Sequence, residues 1–325
     1  FTDTLNDKIK KISELKLNYF IDDLKKVFDH KNFPEYTKKI HFSVNLQKKT
    51  LNWNLINKYF FEKKYENKLI HNYASNLLKN KKIKVNKING GGNSNLFKIN
   101  INNKNKYIGK LYPYSSTSNI IIESSAINLF DKYNIQKKSG NIFIDKNKNF
   151  ALYPFIDGYK QKKMNKKILN KSINFIKDIK NKSNNKFEFN ASASCFSFVD
   201  IKNQIFSRLD LLKFHKKNNK KLNYFIKNKL EIEIPKIINY FEKKWPTNIE
   251  KKLKKSNQIL SPSDFGLHNI ILNKNNVYFI DFEYFGWDDP VKLTSDFILH
   301  PAMTLTTGQK KYWVQSLVKL FTDDT

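Results

Sequence analysis

Apolar residues recur near helical spacing over residues 3–17, where Leu5, Ile9, Ile12 and Leu15 share one side, and this predicts an opening helix. Tyr19-Phe20-Ile21 is a short apolar run that stops at Asp22-Asp23, and Ile40 to Leu46 is a second strand-like run. Helical spacing returns over 51–79, with Trp53, Ile56, Tyr59 and Phe60 on one side. The pattern then changes to strands at Ile83-Lys84-Val85 with Ile88, at Leu96 to Ile99, and at Tyr107 to Leu111. Gly90-Gly91-Gly92-Asn93-Ser94 and Asn102-Asn103-Lys104-Asn105 separate them, so antiparallel strands joined by tight turns are expected. A helix over 120–133 and strands over 141–145 and 150–156 follow. From Met164 onward helical patterns dominate, at 165–182, 198–216, 221–244, 291–300 and 309–321, broken by a strand–loop–strand unit over 258–281. Residues 180–194, rich in Asn, Ser and Lys, read as a mobile loop. The order of elements predicts an α+β chain: a short α/β segment (1–50), a helical connector (51–80), a small antiparallel sheet region (81–157) and a mainly helical region (158–325).

Composition changes this picture little. The apolar share of 40% supports a sizeable core, and the charged share of 27% is ordinary. A net charge of +31 would suit a nucleic-acid binder, but among sixty basic residues only Arg208 is arginine. Base and phosphate readers favour arginine for its two-pronged donor geometry. The lysines are also spread along the whole chain, and Asn, Ile and Phe are abundant, as biased coding would produce. Drift in composition, with no specific nucleic-acid partner, is therefore the expectation. Cys195 is the sole cysteine, which excludes an internal disulfide and a cysteine zinc cluster. It lies in the apolar stretch Cys195-Phe196-Ser197-Phe198-Val199 and is expected to be a buried, inert thiol. No run of about 18 apolar residues predicts a membrane span. These features fit a cytoplasmic protein.

The densest chemistry lies in Ser261-Pro262-Ser263-Asp264-Phe265-Gly266-Leu267-His268-Asn269 and, after a further strand, in Ile280-Asp281-Phe282-Glu283. An Asp and an Asn stand five residues apart, and a second Asp ends an apolar strand seventeen after the first. Phosphoryl transfer needs such a set: a carboxylate to orient and deprotonate the attacking hydroxyl, and separate hard oxygen ligands for magnesium. The stretch resembles the catalytic loop and metal-binding strand of aminoglycoside phosphotransferases and choline or homoserine kinases. The continuation Gly286-Trp287-Asp288-Asp289-Pro290, then Asp296-Phe297, is similar to that family too, and the likeness spans roughly residues 82–300.

The resemblance implies a bilobal, protein kinase-like fold and a small-molecule kinase using ATP and Mg2+ to phosphorylate a small-molecule hydroxyl. It implies Asp264 as the catalytic base and Asn269 and Asp281 as metal ligands. Gly90, Gly91, Gly92, Asn93 and Ser94 would cover the phosphates, Lys110 would bind them, and Glu123 would hold the lysine. Backbone groups of Tyr153 to Ile156, including Phe155, would meet adenine. Asp296 would brace the catalytic loop, and Asp288 or Asp289 would cap the helix starting near Pro290. His268 would pack or touch phosphate, and Trp245, Trp287 and Trp313 belong to the core. One departure stands out: Pro262 replaces the histidine usual two residues before the catalytic Asp, which puts the geometry of that loop in question. No Ala-Pro-Glu closes an activation segment after Asp281, which argues against a protein kinase. A catalytically impaired nucleotide-binding module and a basic nucleic-acid binder are the alternatives. The first 45 residues also resemble the last segment of a haloacid dehalogenase-like phosphatase, through Asp22-Asp23. The nucleophilic Asp-x-Asp of such an enzyme is absent from them.

Overall fold

A computed structural model describes residues 4–17, 19–43, 56, 63–88, 94–113, 117–137, 140–183, 187–215, 219–274, 276–301 and 303–322. The expected glycine turn residues Gly90, Gly91, Gly92 and Asn93, and the apolar Trp53, Tyr59 and Phe60, lie outside the described residues. The chain divides into two compact units, residues 1–86 and 87–325.

In the first unit, α1 (Leu5–Glu14) opens on Thr4, whose hydroxyl accepts a hydrogen bond from the Asp7 amide. Ile9 and Ile12 are buried against Val27, Phe28 and Phe33. β1 (Tyr19–Asp22) pairs in parallel with β2 (Lys38–His41), Ile21 facing Ile40, and α2 (Lys25–Phe28) lies in the crossover between them. This is the α/β segment that the sequence predicts. Asp22 accepts from the Leu24 amide at 2.9 Å and pairs with Lys8 at 2.5 Å. The unit continues into α3 (Lys63–Leu78), which buries Ile70 and Ala74.

A five-stranded sheet follows, in the order β3-β4-β5-β7-β6, opening with β3 (Ile83–Ile88). β4 (Asn95–Ile101) and β5 (Lys104–Leu111) form an antiparallel hairpin. Asn102 and Asn103 link them at φ 51° and 61°, the two positive dihedrals of a type I′ turn, a region Asn tolerates better than most residues. β7 (Phe150–Pro154) pairs antiparallel with β5 and with β6 (Phe143–Asp145). α4 (Thr117–Lys132) lies between β5 and β6 in the chain; its Ile120 packs with Tyr112, Ala151 and Tyr153.

Helices dominate beyond this point: α5 (Lys166–Lys182), α6 (Phe198–His215), α7 (Lys220–Phe225), α8 (Glu231–Lys244), α9 (Pro290–Leu299) and α10 (Thr307–Thr322). Short strands interrupt them. β9 (Ile259–Ser261) pairs with β12 (Gly286–Asp288), and β10 (Ile270–Asn273) pairs with β11 (Asn276–Phe279) and β8 (Tyr159–Lys160). The core is aromatic: Phe175 stacks on Phe279 with centroids 4.4 Å apart, and Phe297 stacks on Trp313 at 3.7 Å. Trp287 is also buried, and Trp245 packs on Phe198, so Trp245, Trp287 and Trp313 serve packing. Among the described residues no helix is long and apolar enough to cross a membrane.

Two expectations need correction. The single helix over 221–244 is two helices joined by a π turn, Ile226–Leu230. Pro235 sits inside α8 and lacks the amide that would close a normal turn there, so the regular ladder is interrupted near this point. Of the expected mobile loop over 180–194, the described residues 180–183 and 187–194 are tied to neighbouring elements. α5 runs to Lys182, Phe187 and Ala191 are buried, and the Ala191 amide donates to the Trp287 carbonyl at 2.9 Å. Polar composition marked this segment as loose, but two apolar anchors, Phe187 and Ala191, tie it to β12.

Candidate active site

β5 carries Lys110, whose side chain is only 6% exposed. The ammonium meets three carboxylates: Glu123 of α4 at 2.7 Å, Asp281 at 2.5 Å and Glu283 at 3.0 Å. Glu123 and Glu283 are as buried as the lysine, whereas Asp281 keeps 40% of its side chain exposed. Burial alone would push the lysine toward its neutral form. The charges of Glu123, Asp281 and Glu283 outweigh that and hold its pKa well above the usual value. Burial lifts the Glu123 carboxyl above its usual range, against the opposing pull of Lys110. Tyr112 donates to Glu123 at 2.5 Å and meets the Tyr153 hydroxyl at 2.8 Å, so the carboxylate is held from a second side. Ser94 reaches Glu283 at 3.5 Å. Three carboxylates, Glu123, Asp281 and Glu283, thus converge with oxygens within 4.8 Å of one another.

The second group surrounds Asp264. Its carboxylate lies 3.0 Å from His268 Nε2 through one oxygen and 3.1 Å from His300 Nε2 through the other. The two imidazoles stack with centroids 4.8 Å apart. Asn269 donates its side-chain amide to the Asp264 carbonyl at 2.9 Å and to its carboxylate at 3.3 Å, which leaves the amide oxygen of Asn269 for another partner. The His268 hydrogen bond, with help from His300, outweighs partial burial and holds the Asp264 carboxyl below its usual range. The turn that presents it is strained: Ser263 sits at φ 64°, and Asp281 likewise at φ 67°. Left-handed backbone at such residues costs on the order of 1–3 kcal/mol each, which the surrounding fold must offset.

This arrangement answers the question raised by Pro262. The Ser263 amide donates to the Ser261 hydroxyl at 3.0 Å and the Phe265 amide to the Ser263 carbonyl at 2.9 Å, so local bonds shape the turn. His268 and His300 then fix the carboxylate from the far side. His268, expected to pack or touch phosphate, instead meets the carboxylate of Asp264, four residues before it; His300 is thirty-six residues away with no local signal. Glu283 is a further residue that spacing alone did not select.

A cleft of about 350 Å³ opens in front of Lys110, lined by Leu96, Ile108, Tyr153, Phe155, Ile156 and Asp281 among others. The Phe155 amide already donates to the Lys106 carbonyl at 2.9 Å, so of the predicted adenine-facing backbone groups this N–H is committed to the sheet. A separate hollow of about 400 Å³ lies beside Asp264 and His300.

The acidic residues beyond Asp281 hold structure. Asp289 caps α9 by accepting from the Val291 amide at 2.6 Å, with Pro290 at the first helical position. The fully buried Asp288 accepts from the amides of Cys195 at 3.3 Å and Asp289 at 2.9 Å and pairs with Lys292 at 3.1 Å. Asp296, expected to brace the catalytic loop, instead pairs with Lys292 at 2.6 Å. An exposed position on α9 does not bring it to the loop's amides; the buried carboxylate that meets backbone amides is Asp288. Burial raises the Cys195 thiol to about 11, consistent with an inert side chain.

Comparison with solved structures places this architecture. Choline kinase from Cryptosporidium parvum Iowa II superposes with a TM-score of 0.52 at 13% identity, over 78% of each chain. APH(2")-IIa in its streptomycin–ATP ternary complex gives 0.50 at 16% identity, over 78% of this chain and 81% of that one. Spectinomycin phosphotransferase APH(9)-Ia, complexed with ADP and spectinomycin, gives 0.50 at 16% identity over 74% of each. A scan of protein-family models and a search of curated proteins returned no match. The chain therefore has the kinase-like fold of choline kinases and aminoglycoside phosphotransferases: an antiparallel sheet lobe and a mainly helical lobe, preceded here by a short α/β segment.

Proposed function

We propose that this chain is an ATP- and magnesium-dependent phosphotransferase acting on a hydroxyl group of a small molecule. The observation that carries the reading is the separation of labour between two carboxylate groups. Asp264 is held ionised by two histidines beside one hollow, and Asp281 stands with Lys110 at the mouth of another. Asn269, five residues from Asp264, links them, because its backbone carbonyl accepts from the Ile280 amide at 3.0 Å.

In this reading Asp264 accepts the acceptor's proton as the hydroxyl oxygen forms its bond to phosphorus and the leaving oxygen departs with ADP. Lys110 offsets phosphate charge, and Glu123, steadied by Tyr112, keeps the ammonium in place. Ser94 and the sequence-assigned Gly90, Gly91, Gly92 and Asn93 supply the turn over the phosphates. The donors fit magnesium: Asp281, the free amide oxygen of Asn269 and nearby Glu283 are all hard oxygens. Bound there, magnesium supplies positive charge against the phosphates. The apolar wall formed by Leu96, Ile108 and Phe155 suits the adenine face.

The test is calorimetric titration of Mg-ATP beside a phosphotransfer assay. Asp264→Asn is expected to lose roughly 10²–10⁴ in rate with near-normal Mg-ATP affinity. Asp281→Asn is expected to lose rate and affinity together, with partial recovery at high magnesium or with manganese. Full activity in Asp264→Asn, or unchanged magnesium dependence in Asp281→Asn, defeats the assignment.

A further inference from the structure

The identity of the acceptor is open on the phosphotransferase reading, and the hollow beside Asp264 bears on it. Its walls come from α6, the Ser263–Asp264 turn, α9 and the residues that follow α9. Most of its charges are already engaged. Lys292 is clamped between Asp288 at 3.1 Å and Asp296 at 2.6 Å, which occupies both that ammonium and the Asp296 carboxylate. Asp264 is engaged by its two histidines. Arg208 differs: it lines the hollow from the exposed side of α6, and no carboxylate among the described residues forms an ion pair with it.

The residue type adds to the position. Arg208 is the only arginine among sixty basic residues. On a solvated surface the two cations serve alike, and everywhere else this chain uses lysine. A guanidinium is not replaceable where two parallel N–H bonds must meet an oxyanion. Its single occurrence falls on the wall of the hollow that contains Asp264. The described walls also lack what a cationic acceptor needs. Tyr284 and the imidazole of His300 are the aromatic groups among the lining residues, too few for a cage around a quaternary ammonium, and neither lining carboxylate is free of a partner.

Resting on the phosphotransferase reading, we propose that the acceptor is a small hydroxyl compound that also bears an anionic group, a carboxylate or a phosphate. Arg208 binds that group while Asp264 meets the hydroxyl. The transfer leaves the anion untouched: the acceptor oxygen gains the phosphoryl group, ADP leaves, and the hydroxyl proton passes to Asp264.

The experiment uses the full chain and matched probes. Glycerol is compared with glycerate and glycerol 3-phosphate, glucose with gluconate and glucose 6-phosphate, and choline and kanamycin represent cationic acceptors. Turnover with Mg-ATP is measured for each. Binding of each anionic probe is measured by calorimetry with the nucleotide cleft filled by AMP-PNP and magnesium. An anionic compound is expected to bind or react better than its neutral partner, the carboxylate and phosphate arms showing which anion is preferred. Arg208→Gln is expected to raise its KM or Kd about 10- to 100-fold with little change in kcat, and to leave the neutral compound unaffected. Arg208→Lys should restore part of the loss. Arg208 is exposed, so the variants should keep the wild-type Tm, which is checked alongside. Preference for choline or kanamycin, no advantage for any anionic probe, or no effect of Arg208→Gln overturns the inference. Failure to bind Mg-ATP at all instead overturns the phosphotransferase reading, so the two failures are told apart.

Discussion

Asp264 and Lys110 show how far a single side chain is set by its neighbours. The Asp264 carboxyl, already ionised near neutrality, is held below its usual value of 3.8 chiefly by His268. Because its folded pKa is depressed, its contribution to stability is present above that usual value and is lost as pH falls through the folded one. Its ionisation should therefore not limit the rate between about pH 5 and 8. A pH profile of kcat/KM is expected to show no acid limb from this group in that window, and His268→Ala should move its pKa upward. Lys110 makes the opposite case. Replacing it by Met leaves Glu123, Asp281 and Glu283 facing one another without their cation. Breaking a buried ion pair in this way costs roughly 3–5 kcal/mol. Burial already lifts the Glu123 carboxyl and Lys110 opposes that lift, so without the cation it rises further, and stability is regained as pH falls and lost as it rises. Chemical denaturation of Lys110→Met should show a deficit at pH 8 that shrinks at pH 5, and Glu283→Gln added to it should recover part of the loss. Equal stability of wild type and Lys110→Met at pH 8 would contradict the cluster.

At the scale of elements, β12 ties the segment around Asn190 to the strand that leads into the Asp264 turn. It pairs with β9, which leads into the Asp264 turn, and its Trp287 bridges to Asn190. Gly286 makes that approach possible: a Cβ there would sit 2.3 Å from the Asn190 carbonyl carbon and 2.4 Å from the Ala191 nitrogen. Both neighbours are backbone and cannot rotate away. Gly109 in β5 is less constrained, since its nearest neighbour is the ring of Phe150 at 2.9 Å. Overpacking typically costs about 1–3 kcal/mol. Gly286→Ala is expected to reach or exceed the top of that range and Gly109→Ala to stay within it, compared by thermal melts. A smaller loss for Gly286→Ala than for Gly109→Ala would show that the 187–194 segment yields freely.

For the whole molecule, a charge of +31 must be reconciled with an enzyme reading. Lys110 and Lys292 are held by buried carboxylates, Glu123 and Asp288, whereas the lysines as a whole fall along every part of the chain. Attraction of that kind has no sequence preference and fades with salt, as counterion release requires. Fluorescence titration with duplex DNA is expected to give no more than the nonspecific range of about 10⁻⁴–10⁻⁶ M at physiological salt, falling steeply as salt rises. Nanomolar binding with preference for one sequence would reverse this view of the charge.

The local order of the site was legible in the chain itself. Strand-like runs, a lysine in an apolar strand, and Asp264, Asn269 and Asp281 spaced by a hairpin are short-range features, and local backbone preferences are enough to define them. The Asn102-Asn103 turn and the Asp289-Pro290 helix start belong to the same class, because each depends on the dihedrals and hydrogen bonds of adjacent residues. Other features arose only when distant segments met. Glu283 joins Lys110 across 173 positions of sequence, and His300 reaches Asp264 across thirty-six. The stretch 180–194 looked loose by composition, and its described residues 187–194 are held through Phe187, Ala191 and the edge of β12. Arg208 was first visible only as a compositional exception; folding placed it on the wall of the hollow beside Asp264. Periodicity and turn chemistry describe what a residue does with its neighbours in the chain, whereas partners at such separations are chosen by how helices and sheets pack.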